Sequence, residues 1–363
     1  MIKGGVFVMK KFGLLICCSL FLIALTACGK SGDEDTASST KSKTIEASIE
    51  DASYILSGKN DGESIDEDAE GGLLKIDMQI KNVSDSSVDV YPDMHMQLYD
   101  GDNQIDPSKA SNPSFGLSVD TNNTIGADKQ KTVSVVFDVE KDKEYEINID
   151  PMPQDVEQET EEVKVPLDTS EYSDSLEALQ DPGKALTAYV ETIYFDKDTT
   201  DYDTYVSADK SGIQEDAIDQ FSENLESSLN YTDMSDKDAE KYYESFKEAA
   251  AEKNEIETEV LTHINDKALV KLKYTALSNE DITKGLRDYK EKYAKKNSDY
   301  NPEKGEEYAL SKFDSIIDKM ESKKGKRELE VYMKQEDGKW MIDDSEYEMS
   351  NRLMTVFAEG VVM

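Results

Sequence analysis

Residues 73–82 read LLKIDMQIKN, and this stretch decides the fold of the first half of the chain. Apolar side chains occupy every second position: Leu74, Ile76, Met78 and Ile80. Successive side chains of a β-strand point to opposite faces. The alternation therefore predicts a strand with one buried face and one wet face.

The same period of two recurs through residues 44–167. Further alternating runs begin at Ile45, Met94, Val133, Tyr145 and Val163. Turn-forming clusters such as NVSDSS (82–87) and DGDNQIDPSKASNP (100–113) separate them. Short strands at this spacing predict an antiparallel, all-β sandwich. Because the chain has no Cys-Trp-Cys pattern, the sandwich is expected to be immunoglobulin-like in architecture only.

From Asp181 onward the apolar period becomes that of a helix. Amphipathic helices are predicted around residues 186–194, 217–229 and 239–250, with Ser211 and Ser235 as N-caps of the second and third. The expected elements that follow are a hairpin turning at Asn265-Asp266, charged helices at about 280–297 and 303–322, a strand near 329–333, a hairpin in DGKWMID (337–343) and a short helix within 346–359. This mixture predicts an α+β domain.

The N-terminus has the pattern of a secretory signal peptide. Lys10 and Lys11 precede Phe12–Ala27, an uncharged stretch of 16 residues. A spanning helix needs about 20 apolar residues. A charged start followed by a short apolar run instead favours a cleaved signal.

The end of that run resembles the bacterial lipobox, with Leu25, Thr26, Ala27 and Cys28 in its four positions. The resemblance implies that the Cys28 sulfur takes a diacylglyceryl group and that cleavage leaves this residue first. Acyl chains such as palmitate would then hold the protein at the outer face of the cytoplasmic membrane, as a cell-surface lipoprotein. The alternatives are an ordinary signal peptide with an unrelated cysteine, or an uncleaved anchor.

These patterns divide the chain into five predicted segments: a signal peptide (1–27), a lipidated tether (28–43), the β-sandwich (44–167), a linker (168–180) and the α+β domain (181–363).

Two further resemblances concern the domains. The segments LLKIDMQIKNVSDSSVDV and MHMQLYDGDNQID resemble the telokin-like, immunoglobulin-like domain of Gram-positive surface lipoproteins. The second half, with its Trp after the turn in DGKWMID, is similar to the NTF2-like and cystatin-like α+β group. In that group a bent sheet wraps a helix and forms a cone. The extra helices near 279–324 depart from the usual strand order.

Composition limits the chemistry. The 363 residues include 41 basic and 79 acidic side chains, a formal charge of −38. This balance argues against nucleic acid and against electrostatic docking to anionic lipid. Once residues 1–27 are removed, Cys28 is the last cysteine, so an internal disulfide and a thiol nucleophile are both excluded.

No strong catalytic or metal motif appears. The two histidines, His95 and His263, are predicted on the wet faces of strands in different domains. Such a placement disfavours a metal site or a Ser-His-Asp triad. The acidic stretch 100–106 is expected to be a hairpin turn, because Ile105 and Ser111 replace the Gly and Glu of a calcium loop.

Aromatic residues of the second half are the remaining candidates for a pocket or a partner surface: Tyr189, Tyr194, Tyr242, Tyr243, Tyr274 and Trp340. In a cone-shaped fold such rings can line a cavity. The alternative is ordinary packing of helices on a sheet.

The sequence thus favours a lipid-anchored, non-enzymatic surface protein that needs no cofactor and binds a protein or cell-wall partner. One alternative is a secreted hydrolase that uses paired carboxylates. The other is a solute-binding component of a transporter, although the alternating strands and helices typical of that class are missing.

Overall fold

Alternation of apolar residues builds the first half of the molecule. The structure is a computed structural model that describes residues 40–58, 69–118, 122–155, 159–197, 199–298, 301–345 and 347–363. Its strands up to residue 168 are β1 (Thr40–Lys41), β2 (Ile45–Ile55), β3 (Gly71–Asn82), β4 (Val88–Asp89), β5 (Met96–Asp100), β6 (Asn103–Ile105), β7 (Thr124–Ile125), β8 (Gln130–Glu140), β9 (Glu144–Ile149), β10 (Met152–Pro153) and β11 (Val163–Asp168).

These strands form antiparallel sheets in the orders β1-β2-β3-β8, β11-β9-β5-β6 and β10-β4-β7. The inward face of β3 carries the four residues of the opening stretch, Leu74, Ile76, Met78 and Ile80, and each is 0% exposed. The opposite face of the same strand carries Lys75 and Asp77. The alternation therefore predicted correctly that this half consists of antiparallel β-sheet.

One predicted strand start is wrong. Met94 and His95 lie in a short helix, α1 (Pro92–His95), and not at the start of β5. Pro92 has no backbone N–H to give to a sheet and suits the first turn of a helix. As a result Met94 is 60% exposed, and His95 Nδ1 accepts a hydrogen bond from the Tyr91 N–H at 3.0 Å.

The second half combines helices with one main sheet. Its helices are α2 (Ser173–Glu177), α3 (Asp181–Tyr194), α4 (Thr200–Tyr205), α5 (Lys210–Glu226), α6 (Asp236–Lys253), α7 (Asn279–Lys296), α8 (Pro302–Leu310), α9 (Phe313–Ile317) and α10 (Met349–Phe357). Its strands are β12 (Ile256–Ile264), β13 (Lys267–Ala276), β14 (Lys323–Lys324), β15 (Leu329–Glu336) and β16 (Lys339–Ile342).

The main sheet has the antiparallel order β12-β13-β15-β16, and β14 pairs with the end of β13. Helix α3 packs against β12 and β13 through its buried face. The two hairpins turn where expected, since Asn265 and the pair Asp337-Gly338 adopt positive φ. Asn, Asp and Gly tolerate that left-handed backbone better than other residues.

The predicted helix at 303–322 is instead two short helices, α8 and α9, separated at Ser311 and Lys312. The end of α9 is held from outside. Lys253 Nζ donates to the carbonyl oxygens of Ile317 and Met320 at 3.0 Å each and to that of Asp318 at 3.1 Å. A lysine at the carbonyl end of a helix supplies donors that the helix itself lacks.

Residues 168–180, predicted as a linker, are helical and packed. They form α2 and two 3₁₀ turns, Thr169–Tyr172 and Ala178–Gln180. Leu176 and Leu179 are buried in the main core. The Ser175 hydroxyl accepts a hydrogen bond from the Tyr54 N–H at 3.0 Å, which ties this segment to β2.

A junction joins the two halves directly. Leu56, just after β2, exchanges two backbone hydrogen bonds with His263 of β12, at 2.9 and 3.0 Å. Beside this bridge is a small apolar cluster, called the junction cluster below: Ile55, Phe115, Leu117, Val136 and Ile264. Gly58 comes so close to β12 that a Cβ there would meet Thr262 Oγ1 at 1.9 Å.

Within the described ranges, no helix combines the length and the apolar character that crossing a membrane requires.

Candidate functional site

Three of the predicted pocket tyrosines lie deep in the core of the second half. Tyr189 and Tyr194 of α3 pack edge to face at 6.2 Å, and Tyr194 stacks on Phe357 of α10 at 5.7 Å. Tyr243 of α6 packs on Phe221 of α5 at 5.4 Å. Burial raises the pKa of Tyr189 to about 12 and raises those of the other two as well.

The other two tyrosines also pack against neighbours. Tyr242 lies 4.8 Å from the ring of Phe313 in α9. Tyr274 of β13 packs on Phe357 and donates from its hydroxyl to the main-chain oxygen of Met363 at 3.2 Å. None of the five tyrosines lines either of the two grooves described below.

Trp340 is also buried, at 1% exposure, but it sits at the junction beside His263. The two rings meet edge to face at 4.9 Å. The prediction that His263 lies on a wet face is wrong, and a β-bulge is the reason. The pairing of β12 with β13 slips between Val260 and Thr262, so that His263 pairs with Ala268.

Directly paired residues share a face of a sheet, and Ala268 faces the core at 0% exposure. A slip of one residue turns every later side chain to the other face. The bulge therefore turns His263 toward the 3₁₀ turn at Ala178–Gln180, where its Nδ1 lies 3.2 Å from the Leu179 carbonyl oxygen.

Trp340 and His263 line a cleft of about 420 Å³ between the halves, called the junction cleft. The remaining side chains of its lining are Asp51, Ser53, Tyr54, Lys75, Asp77, Ser175, Ala178, Asp181, Asn265 and Gln335. Clefts between folded units are common places for ligands.

The floor of the junction cleft is the outward face of β2 and β3. In their register Asp51 stands opposite Asp77, and Ser53 stands opposite Lys75. Lys75 Nζ contacts Asp77 Oδ2 at 2.5 Å and is only 8% exposed in spite of its charge. Ser134 of β8 donates to the other oxygen of Asp77. Like charges directly opposite on strands repel, and Lys75 offsets this repulsion.

The wall formed by the second half carries the imidazole of His263. Burial lowers the pKa of His263, and the nearby Leu179 carbonyl and Asp181 carboxylate oppose that effect only in part. Three aspartates and one lysine line the cleft, but Asp77 pairs with Lys75 and Asp181 pairs with Lys184, so Asp51 supplies the excess negative charge. Such a lining suits a ligand that carries positive charge or many hydrogen-bond donors.

Sequence reasoning did not find the floor residues. The alternating pattern predicted only that these residues lie on the outward face of a strand. No local pattern showed that Asp51 would face Asp77 or that helix α2 would cover β2, because both depend on the pairing of segments that are distant in sequence.

Within the described residues, the buried acidic side chains do not form a carboxylate pair. The acidic side chains that are buried there, Asp89 and Glu306, lie in different halves and are already hydrogen-bonded. No group of three or more His, Cys, Asp or Glu residues within the described ranges could hold a metal ion. Cys28, the predicted lipid attachment residue, lies outside those ranges.

The chain is similar to known bacterial proteins. It is 29% identical over 205 residues to the uncharacterized lipoprotein YcdA of Bacillus subtilis, and the aligned part spans 56% of each chain. The crystal structure of YcdA matches with a TM-score of 0.64 at 25% identity, covering 88% of this chain and 98% of that one. The yjhA protein of the same organism matches at 16% identity and a TM-score of only 0.27, over 36% of this chain and 96% of that one.

Two family models match separate parts of the sequence. Residues 36–159 match the model described as "Domain of unknown function (DUF4352)". Residues 172–358, more than half of the chain, match the model described as "Domain of unknown function (DUF5105)". This protein therefore belongs to the DUF5105 family.

Proposed function

We propose that this protein is a lipid-anchored, non-enzymatic binding protein at the outer face of the cytoplasmic membrane. Lipid on Cys28 attaches it, and a ligand or partner binds in the junction cleft. The observation that carries the proposal is the likeness to the lipoprotein YcdA, which extends over 88% of this chain, combined with a cysteine in the lipobox frame.

The proposal includes a domain plan: a signal peptide (1–27), a tether (28–43), a telokin-like, immunoglobulin-like sandwich (44–167), a connecting segment (168–180) and an NTF2-like or cystatin-like domain (181–363). The layered antiparallel sheets of the first half support the sandwich. Helix α3, packed on a four-stranded antiparallel sheet, supports the second assignment.

The ligand of the junction cleft carries cationic or donor-rich groups, such as the amines of a protein or cell-wall partner. The support is the net negative lining and the position of Asp51, which is exposed and faces the cleft. Carboxylates bind cationic donors through charge-assisted hydrogen bonds, which are about twice as strong as neutral ones.

The anchor is tested with Cys28→Ala, expressed in a Gram-positive host and labelled with radioactive palmitate. We expect the label and membrane retention to be lost, with uncleaved precursor or released protein in their place. Cys18→Ala is the matched control, because it removes a cysteine of the apolar run and should leave both unchanged. A variant without Cys28 that is still cleaved and membrane-held would contradict the anchor.

The cleft is tested through Trp340, the only tryptophan of the chain and therefore a specific fluorescent reporter. We expect titration with trilysine peptide to change its emission in a saturable way. Asp51→Asn should weaken binding several-fold, whereas Glu46→Gln, on the same strand but outside the cleft, should not. Equal weakening by both variants would indicate general attraction to an acidic protein and would exclude a cleft site.

A further inference from the structure

A second groove lies at the other end of the second half. It runs between α7 and the segment 315–323, has a volume of about 430 Å³, and is called the basic groove. Its walls carry four lysines: Lys284, Lys292, Lys319 and Lys323. Three acidic residues, Asp281, Asp288 and Glu321, also line it.

The chain segments that form this groove differ in charge from the rest of the protein. Residues 284–296 and 319–327 together hold eleven lysines and arginines but only three acidic residues. These two segments therefore carry a net charge of +8 in a chain whose total is −38. A local field of this kind attracts anions even when the whole molecule repels them.

Most of the lysines that line the groove are not neutralised. Lys323 pairs with Asp281 at 2.6 Å. Among the described residues, Lys284, Lys292 and Lys319 form no ion pair. Their ammonium groups are therefore available to donate charge-assisted hydrogen bonds to an anion in the groove.

Tyr289 reports the positive potential at the centre of the groove. Lys292 Nζ lies 4.4 Å from the centre of its ring, and Lys319 Nζ donates to its hydroxyl oxygen at 3.4 Å. Hydrogen bonding from Ser315 and Lys319, together with the charges of both lysines, lowers the pKa of this tyrosine. The same arrangement that favours a phenolate favours a bound anion.

Gly285 allows the close approach of two segments that forms the base of the basic groove. A Cβ at this position would come within 2.6 Å of Ile316 Cγ2, so only glycine lets α7 approach the 315–323 segment this closely. The approach brings Lys284 and Lys319 to one concave surface.

Strand β13 locates the basic groove relative to the junction. β13 begins at Lys267 beside the junction and ends at Ala276, which pairs with Lys323 of the groove segment. Ten residues of strand span about 33 Å. The chain enters the described structure at Thr40, opposite Ala47 and at the far end of β2 from the junction. The groove therefore lies at the far end of β13 from the junction.

We propose that the basic groove binds a phosphate-bearing polyanion. Phosphate oxygens accept hydrogen bonds from several ammonium groups at once, and successive phosphates of a polymer can follow the lysines along the groove.

The test uses the full chain with Cys28→Ala, so that its outcome does not depend on lipid attachment or on the junction cleft. The probe is linear inorganic polyphosphate, and binding is measured by calorimetry at low and at physiological salt. We expect saturable binding that weakens as salt rises, because counterions compete for the lysines. The triple variant Lys284→Gln, Lys292→Gln, Lys319→Gln should bind at least about tenfold more weakly.

The matched control replaces three lysines of the same half outside the groove, Lys237, Lys267 and Lys339, with glutamine. It changes the net charge equally and should alter affinity by less than about twofold. A thermal melt of both triple variants shows whether they are folded. In a sample with ¹³C-labelled tyrosine rings, polyphosphate should shift the resonance that disappears in Tyr289→Phe.

Two results would overturn the proposal. One is equal weakening by the groove and control variants, which would indicate non-specific attraction. The other is binding to phosphatidylglycerol vesicles without binding to polyphosphate, which would indicate a lipid surface instead.

Discussion

Glu306 is a carboxylate that the fold has taken out of water. It is 1% exposed and accepts hydrogen bonds from the N–H groups of Asn230 and Tyr231, at 3.0 and 2.9 Å. Lys290 Nζ lies 3.4 Å away. One side chain thus ties α8 to α7 and to the loop after α5. Burial raises its pKa, but the two N–H groups and the lysine outweigh burial and hold the pKa below its ordinary value.

Glu306→Gln is predicted to destabilise the protein by about 1–3 kcal/mol, because the neutral amide accepts weaker hydrogen bonds and removes the charged partner of Lys290. The folded carboxyl has the lower pKa, so the unfolded chain binds protons first as pH falls. The stability from this residue is therefore complete above about pH 4.3 and is lost below it. Urea unfolding at pH 7 and pH 3.5 measures both effects.

Glu307→Gln is the control, since the neighbouring side chain is exposed and has no comparable bonds. Equal unfolding free energies for the two variants would show that the buried contacts of Glu306 contribute nothing to stability.

His263 predicts a second pH dependence near neutrality. Its folded pKa lies below the ordinary value of about 6.5, so protonation favours the unfolded chain. The groups that face it are the Leu179 carbonyl, Asp181 and the Trp340 ring. We expect stability to be full above about pH 6.5 and to decline as pH falls through the folded pKa.

His263→Gln should flatten that decline between about pH 7 and pH 5.5, because glutamine does not titrate. His95→Gln removes the only other histidine and should leave the decline in place. Unfolding midpoints in guanidinium at four pH values distinguish the variants. A steep decline that survives in His263→Gln would assign the pH dependence to other groups.

At the scale of elements, the N-caps of α5 and α6 show that local sequence patterns predict some helix ends and not others. Ser235 caps α6 as predicted, with its hydroxyl accepting from the Asp238 N–H at 3.3 Å. Ser211 does not cap α5. The helix begins two residues earlier than predicted, and Asp209 accepts a hydrogen bond from the Gly212 N–H at 3.1 Å instead. Helix ends predicted from sequence are commonly displaced by one or two residues.

Asp209→Ala is therefore predicted to cost about 0.5–2 kcal/mol, the usual value of an N-cap. Ser211→Ala, inside the first turn, should be nearly neutral, since alanine is the better helix former there. Thermal melts followed by circular dichroism measure the difference. A larger loss in Ser211→Ala than in Asp209→Ala would reverse the assignment of the cap.

At the scale of the molecule, one apolar core runs from Ile45 in the first half to Ala358 in the second. The junction cluster adds Ile264, 0% exposed, among side chains of the first half. The bulge in β12 turns Ile264 toward that cluster, just as it turns His263 away from it. We infer that the halves unfold together.

Ile264→Ala is predicted to uncouple them, at a cost of about 2–5 kcal/mol for the lost packing. Native-state hydrogen exchange is the measurement, applied to the slowest amides of β3 and of β13. In the unmodified protein both sets should report one free energy, and in the variant they should separate.

Ile282→Ala is the control, because it removes an equally buried side chain of α7 away from the junction. This variant should lower the opening free energies of both sets of amides by the same amount. Two distinct free energies in the unmodified protein would already contradict a cooperative junction.

The sequence alone determined most elements and their order. The alternation around Ile76, the helical period around Tyr189 and the turn residues Asn265 and Gly338 are local signals, and each acts within a few residues. They were sufficient for the sheets of the first half, for both hairpins and for most helices. They also identified Tyr189 and Trp340 as side chains to examine, although not which of them lines a cleft.

Only the tertiary structure decided where the chemistry lies. The bulge after Val260, the cover that α2 places over β2 and the contact of Asp51 with the junction all depend on pairings between distant segments. The total charge can likewise be counted from the sequence, whereas the positions of the charges on the surface depend on the fold. In a chain of total charge −38, four lysines line one groove, because α7 and the segment 315–323 pack side by side.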